Sequence, residues 1–418
     1  MEIRIDRPIS ADHRVADSAL GTASAIAFLV LIAALPWSIA AMSIAAGLCL
    51  VLTVAHLARG GRPVWVRSPV DLPGLGWLLA LMVAALFAQD RAASLPRIGK
   101  GLMPVLVGVA ALHTASRRQG ERAVVVLLIS STVAALLGWG VWIADGASFA
   151  ARARGPTGHY MTFAGQLMLA VSLAAGIGLC ARDRRWRFAA WGAAIATGLA
   201  LAGTFTRSAW IGTLVALGLL LAVIRPWWTL VLAVGVLAAF ALAPASYRDR
   251  MSSAFDPRHP TNVERLYMWE AGVRMLRDHP VTGVGLQDLH VLYDRYRSPA
   301  SRERVGHLHN VSIQIGATMG GVGLVAFVLL YLGLLRAATD GLRAQLGRGS
   351  VSAGVRLGAV AALAGFFVAG LFEWNFGDEE LLYYLYTLVG IAWASRVWEK
   401  QAGEHRVSPP AGGEVRGR

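Results

Sequence analysis

Lysine is almost missing from this chain: of 39 basic residues only Lys100 and Lys400 are lysines, and the rest are arginines. Charge of any kind is scarce, at 15% of 418 residues against 56% hydrophobic, which is too apolar a balance for a soluble domain. Two cysteines, Cys49 and Cys180, both fall inside apolar runs, which argues against a disulfide framework or a thiolate metal site. Carboxylates number 25 and nowhere form Asp-x-Asp or Asp-Asp-x-x-Asp, the clustered ligands that metal-dependent transfer at a diphosphate usually needs. A formal charge of +14 invites a nucleic-acid reading, but the arginines are dispersed in short loops between apolar runs, so no nucleic-acid partner is expected.

What is abundant is the apolar run of roughly 20 residues, the length that crosses a bilayer. Runs near 18–36, 39–57, 71–88, 99–115, 123–143, 161–181, 188–205, 208–224, 227–245, 310–335, 354–372 and 381–398 predict about 12 transmembrane helices. The polar first 17 residues, with Arg4, Arg7 and Arg14, precede a first span that reads as retained rather than cleaved, because a second run follows at once. With the N-terminus inside, the short outer loops hold only Arg91, Arg97, Lys100, Arg152, Arg154 and Arg207. The alternate segments hold several-fold more, among them Arg59, Arg62, Arg67, Arg117, Arg118, Arg122, Arg182, Arg184, Arg185, Arg187, Arg336, Arg343 and Arg348, which orients them to the cytoplasm. The expected divisions are 1–245 with nine spans, an outer loop 246–308, 309–400 with three spans, and a disordered cytoplasmic tail 401–418.

The outer loop carries helical periodicity. Thr261-Asn262-Val263-Glu264 reads as a capping box, and Leu266, Trp269, Val273 and Leu276 share one face. His279-Pro280 and Gly283-Val284-Gly285 end that helix, and Leu286, Leu289, Tyr293 and Tyr296 mark a second one. On amphipathicity alone both are interfacial packing elements.

Polar groups near the outer ends of spans are the first functional candidates, since they are expensive at membrane depth. Arg207 sits between two runs with almost no loop, where it either marks the turn or points into an outward cavity. Arg265 opens the loop helix beside Glu264, where a surface ion pair is the plainer reading. Arg152, Arg154 and His159 lie in the fifth-to-sixth connection. His309-Asn310 stands where the tenth span begins; Asn310 suits an N-cap, and a histidine at the positive end of a helix dipole is favoured as the neutral, proton-accepting ring. His307 is secondary. Gly316 and Gly320 form a small-residue face for a neighbouring helix. Asp378, Glu379 and Glu380, the one dense acidic patch, read more readily as a solvated turn than as a metal site, and no cofactor is called for.

In combination, these residues resemble the family of O-antigen ligases and related bactoprenol-glycan polymerases and oligosaccharyltransferases. His309, Asn310, Gly320 and Gly323 match the histidine motif, Thr206-Arg207-Ser208-Ala209-Trp210 the arginine motif, and Arg265, Trp269, Pro280, Gly283 and Gly285 the large-loop pattern. The resemblance implies an all-α, GT-C-like membrane glycosyltransferase of the bacterial inner membrane, acting without metal on the periplasmic face. Its donor would be an undecaprenyl-diphosphate-linked glycan and its acceptor the lipid A-core oligosaccharide, in lipopolysaccharide biosynthesis. His309 would be the general base and Arg207 and Arg265, with Arg152 and Arg154, the diphosphate ligands; Asn310, His159, Glu264, His307, Gly320 and Gly323 would support them.

An O-antigen polymerase or a protein O-oligosaccharyltransferase would share these motifs, and the compact loop modestly favours the ligase. A lipid-linked glycan transporter should carry paired broken helices or inverted repeats near the midplane, and the sequence reveals neither. The charge distribution makes the orientation testable. A cysteine introduced in the 246–308 loop should react with a membrane-impermeant thiol reagent in intact spheroplasts, and labelling only after lysis would reverse the topology.

Overall fold

The computed structural model describes residues 18–60, 67–254, 256–347 and 349–398. Arg4, Arg7, Arg14, Arg62, Arg348 and the tail from Lys400 onward lie outside the described residues. What is described is all-helical, with no strand among the described residues. Among the described residues, seven helices are long and apolar enough to cross a membrane, and three shorter apolar ones accompany them.

The chain opens with α1 (Ala19–Ala34) and α2 (Ile39–Ala58), each started by a serine whose hydroxyl accepts a backbone N–H of the first turn. They are followed by α3 (Asp71–Leu86) and a short α4 (Arg91–Ser94). The run expected as one helix at 99–115 is divided: a 3-10 segment, Leu95–Leu102, precedes α5 (Val105–His113). Pro104 stands at the junction, where its missing N–H and ring prevent the α-helix from extending backward. Next come α6 (Arg117–Ala144), opened by a Ser116/Gln119 capping box, then α7 (Tyr160–Cys180), α8 (Arg184–Gly203) and α9 (Arg207–Ile224). The tenth helix, α10 (Trp228–Leu242), buries nothing and presents Leu230, Val234 and Leu237 outward, as a lipid-facing edge helix would.

The bundle is built around α7, which is buried along nearly its whole length. Small residues set how closely it is approached: a Cβ at Gly176 would lie 2.6 Å from the carbonyl oxygen of Gly354. That contact packs α7 against α16 (Val351–Gly370), which also receives α9 where Gly212 faces Gly365.

The outer loop is a folded layer. It holds α11 (Ala245–Ser252), α12 (Pro260–Asp278) and α13 (His290–Tyr296). The expected capping box is not formed: His259 is the N-cap and Pro260 the first helical residue, two residues earlier than Thr261-Glu264 implied. Asn262 and Glu264 are thereby released for other partners. The buried face of α12 also differs from the expected one, consisting of Met268, Ala271, Gly272 and Met275, while Leu266 and Val273 are exposed. α13 is shorter than predicted but does bury Leu292 and Tyr293.

After α14 (Val311–Thr339) come α15 (Leu342–Leu346), α16 and α17 (Glu379–Ser395), with a 3-10 turn at Asn375–Gly377 before the last. α14 is broken at Gly320, which has φ 63° and ψ −157°. Into the break comes the segment after α12. Val284 and Gly285 donate to the carbonyls of Ala317 and Thr318 at 2.9 and 3.1 Å, and Gly321 and Val322 donate to those of Pro280 and Val281 at 2.8 and 3.2 Å. A side chain at Gly320 would collide with the Val281 carbonyl, and one at Gly283 with the backbone of Thr318. Gly320 and Gly283 therefore let the outer layer dock onto α14, where Gly316 and Gly320 suggested a face for a neighbouring helix.

Candidate active site

His309 is the residue before Asn310, the N-cap of α14, and it has φ +48°. Asn310 accepts from the Ile313 N–H at 3.0 Å and donates to the Leu371 carbonyl at 2.9 Å, tying the start of α14 to the end of α16. That tie brings the connection after α16 under the imidazole. His309 Nδ1 is 2.9 and 3.1 Å from the two oxygens of Glu373. Burial would raise the Glu373 carboxyl, but the hydrogen bond from His309, the neighbouring imidazoles of His309 and His307 and the Arg265 guanidinium outweigh it and hold it below the ordinary range. An ionised carboxylate only accepts, so Nδ1 is the donor in this pair, and in the neutral ring the lone pair is on Nε2. The helix dipole, expected from the sequence to favour the neutral ring, does not choose between its two nitrogens; the Glu373 carboxylate does, by holding Nδ1 as the donor.

Arg265, on α12, reaches the same carboxylate with Nη2 at 3.9 Å. The His307 ring packs edge-on against His309 with centroids 4.3 Å apart, and burial, then His309, push it down to about 4, so it is neutral near pH 7. His307, His309 and Glu373 together offer three ligand atoms within 4.8 Å of one another, a geometry compatible with a metal ion.

His309 also lines a cavity of about 250 Å³ whose walls carry four guanidinium groups, from Arg152, Arg207, Arg250 and Arg265, against one carboxylate, Glu303. Each arginine is held by its own device. Arg207, the first residue of α9, is buried and donates to Ser253 Oγ at 3.2 Å and Asn262 Oδ1 at 3.1 Å. Asn262 in turn donates to the carbonyls of Ser253 and Asp256, both at 2.8 Å, fixing α12 to the end of α11. Arg250 donates to the Phe205 carbonyl at 3.2 Å, and Arg152, itself at φ +35°, lies over the rings of Phe149 and Tyr160 at 4.2 and 4.4 Å. Burial, followed by the charges of Arg207 and Arg152, pushes Arg250 down to about 10. Arg265 is lowered too, by burial, against the opposite pull of Glu373, Glu303 and Tyr160. Like charges this close destabilise one another, and a dianion with several oxygens is the ligand that relieves them.

The other sequence candidates lie elsewhere. Arg154 and His159 are exposed and outside this lining, His159 serving as N-cap of α7. Glu264 is occupied, accepting from Ser301 Oγ at 2.8 Å and the Arg302 N–H at 3.0 Å. Gly320 and Gly323 shape α14 without reaching the cavity. The acidic patch is not a freely solvated turn: Asp378 is pushed up to about 7 by burial and then by Glu380 and Glu373, and Glu379 pairs with Lys100 at 3.1 Å.

Two residues of this constellation escape a motif-based reading. Arg250 is one of many loop arginines, with nothing in its spacing to single it out. Glu373 is a solitary carboxylate in a short connection after a span, whereas the sequence argument searched for acidic clusters; its position at a span end was the available signal.

Residues 192–328 match the sequence profile of the family described as O-antigen ligase. That stretch contains Arg207, Arg250, Arg265 and His309, and leaves out Arg152 and Glu373. No curated protein matches the chain.

If His309 is a base that Glu373 orients, Glu373→Gln should lower kcat for the reaction of this site by roughly 10²- to 10⁴-fold, the range of general acid–base assistance, with KM little changed. Full activity in the variant, or a loss confined to KM, would remove Glu373 from the machinery.

Proposed function

We propose, on the match of residues 192–328 to the O-antigen ligase family profile, a family that includes ligases and polymerases, that this protein is an O-antigen ligase. It transfers glycan from undecaprenyl diphosphate to the lipid A-core oligosaccharide on the periplasmic face of the bacterial inner membrane. The observation that carries this reading is a single one: the imidazole paired with Glu373 opens onto the four-arginine cavity.

The chemistry follows from the groups present. The donor's diphosphate sits among Arg152, Arg207, Arg250 and Arg265, which neutralise the charge that grows on it as the glycosidic bond breaks. His309 Nε2 takes the proton of the acceptor hydroxyl as that oxygen bonds to the anomeric carbon. The electron pair of the broken C–O bond leaves on the diphosphate, so the lipid product is undecaprenyl diphosphate and the anomeric configuration inverts. Glu373 holds the ring in the required tautomer and stabilises the imidazolium that forms. Arg265, between Glu373 and the cavity, couples base and leaving-group site. Charge neutralisation by arginine leaves no step that requires a metal, so activity is expected to withstand a chelator.

The test is reconstitution in proteoliposomes with lipid-diphosphate-linked glycan and lipid A-core, no nucleotide, and excess chelator. Glycan should appear on the core. His309→Ala should abolish transfer, and Arg207→Lys and Arg265→Lys should each lose most of it, because lysine keeps the charge but not the two-pronged geometry. Glycan lengthened on its lipid carrier would make the protein a polymerase. Activity lost to the chelator and restored by a divalent ion would identify His307, His309 and Glu373 as a metal site.

A further inference from the structure

His309 lines a second cavity as well, of about 530 Å³, which shares with the arginine cavity no other lining residue. The two cavities share the catalytic ring and differ in chemistry. The walls of the second are largely aromatic and apolar, with Trp77 from α3 and Trp374 and Phe376 from the connection before α17. Basic groups complete its lining: Arg97 and Lys100 from the 3-10 segment after α4, and Arg304 from the outer layer, against the single carboxylate Asp288.

We infer that this second cavity is the acceptor site and that it selects a saccharide bearing phosphate or carboxylate substituents. The inference rests on the ligase reading for the identity of His309 as base. An inverting displacement requires the attacking hydroxyl and the departing diphosphate on opposite sides of the anomeric carbon. A base shared by two cavities, one of them built for the diphosphate, leaves the other for the hydroxyl. Broad indole and phenyl faces offer apolar surface to the C–H faces of sugar rings. The basic groups are held only by surface pairs that an anionic ligand can displace: Lys100 with Glu379 at 3.1 Å and the Gly377 carbonyl at 3.2 Å, and Arg304 with Asp294 at 3.4 Å. Arg97 is exposed at the edge of the cavity. A neutral saccharide would offer these three cations only hydroxyl oxygens, whereas an anionic substituent adds ion pairing and, for arginine, a two-pronged contact.

Binding can be measured without turnover, which separates this inference from the ligase reading. The probe is the soluble phosphorylated oligosaccharide released from the acceptor glycolipid, titrated into the full-length protein in nanodiscs free of anionic lipid. The wild-type protein should bind it, and phosphatase treatment of the oligosaccharide should weaken binding at least about tenfold, the worth of one charge-assisted hydrogen bond. Arg97→Glu and Lys100→Glu should weaken it by a similar factor for the phosphorylated probe and have little effect on the dephosphorylated one, while Arg277→Glu, at an exposed residue that lines neither cavity, should leave it unchanged. Binding indifferent to phosphate or to Arg97 and Lys100, or lost equally in Arg277→Glu, would overturn the assignment. Displacement of the probe by anionic phospholipid alone would overturn it too, making the cations a lipid-headgroup contact. A protein that binds the probe as described yet fails to transfer glycan would retain the site and refute the ligase reading.

Discussion

Four guanidinium groups around one small cavity repel each other, and much of the outer half of the molecule is engaged in holding them there. Burial of such charge is costly unless each group is hydrogen-bonded and the set finds an anion. Arg207 is fixed through Ser253 and Asn262, Arg250 through the Phe205 carbonyl, Arg152 against two aromatic faces, and Arg265 through Glu373. These anchors come from α9, α11, α12 and the connections before α7 and after α16, so the cavity exists only once the outer layer has docked. The docking rests on the break in α14, where chain 280–285 replaces helical hydrogen bonds with its own.

The same arrangement explains the position of the base. His309 lies at the start of α14, outside the helix, with a backbone conformation uncommon for a residue with a side chain. Asn310 fixes that start against α16, and Glu373 follows α16 directly, so base and orienting carboxylate are placed by one hydrogen-bonded junction. Arg265 touches the same carboxylate from α12. A shift of the outer layer would therefore disturb the anion cavity and the base together, which suits a reaction in which neither is useful without the other.

Much of this was legible in the sequence because membrane physics leaves coarse marks. Runs of roughly 20 apolar residues announce helices, and Arg207, Arg265 and His309 are conspicuous as polar groups at their ends. What was not legible depends on contacts between distant segments. Nothing local distinguishes Arg250 from neighbouring loop arginines, and Glu373 acquires its role only when α16 ends beside α14. The capping box at Thr261-Glu264 was misplaced because Asn262 and Glu264 are drawn into tertiary hydrogen bonds and Pro260 starts the helix earlier. Gly316 and Gly320 were read as a helix-packing face, since a pattern of small residues does not distinguish an approaching helix from an inserted loop. Only the positive φ at Gly320 does.

The central claim is that the arginine cavity, with His309 at its wall, is where the diphosphate of the donor resides. Its most direct test is a cryo-electron microscopy structure of the full-length protein in nanodiscs with undecaprenyl diphosphate. Phosphate density within hydrogen-bond reach of Arg207, Arg250 and Arg265 would sustain the account. Density in the aromatic cavity beside Trp374, with the arginine cluster left without it, would contradict it.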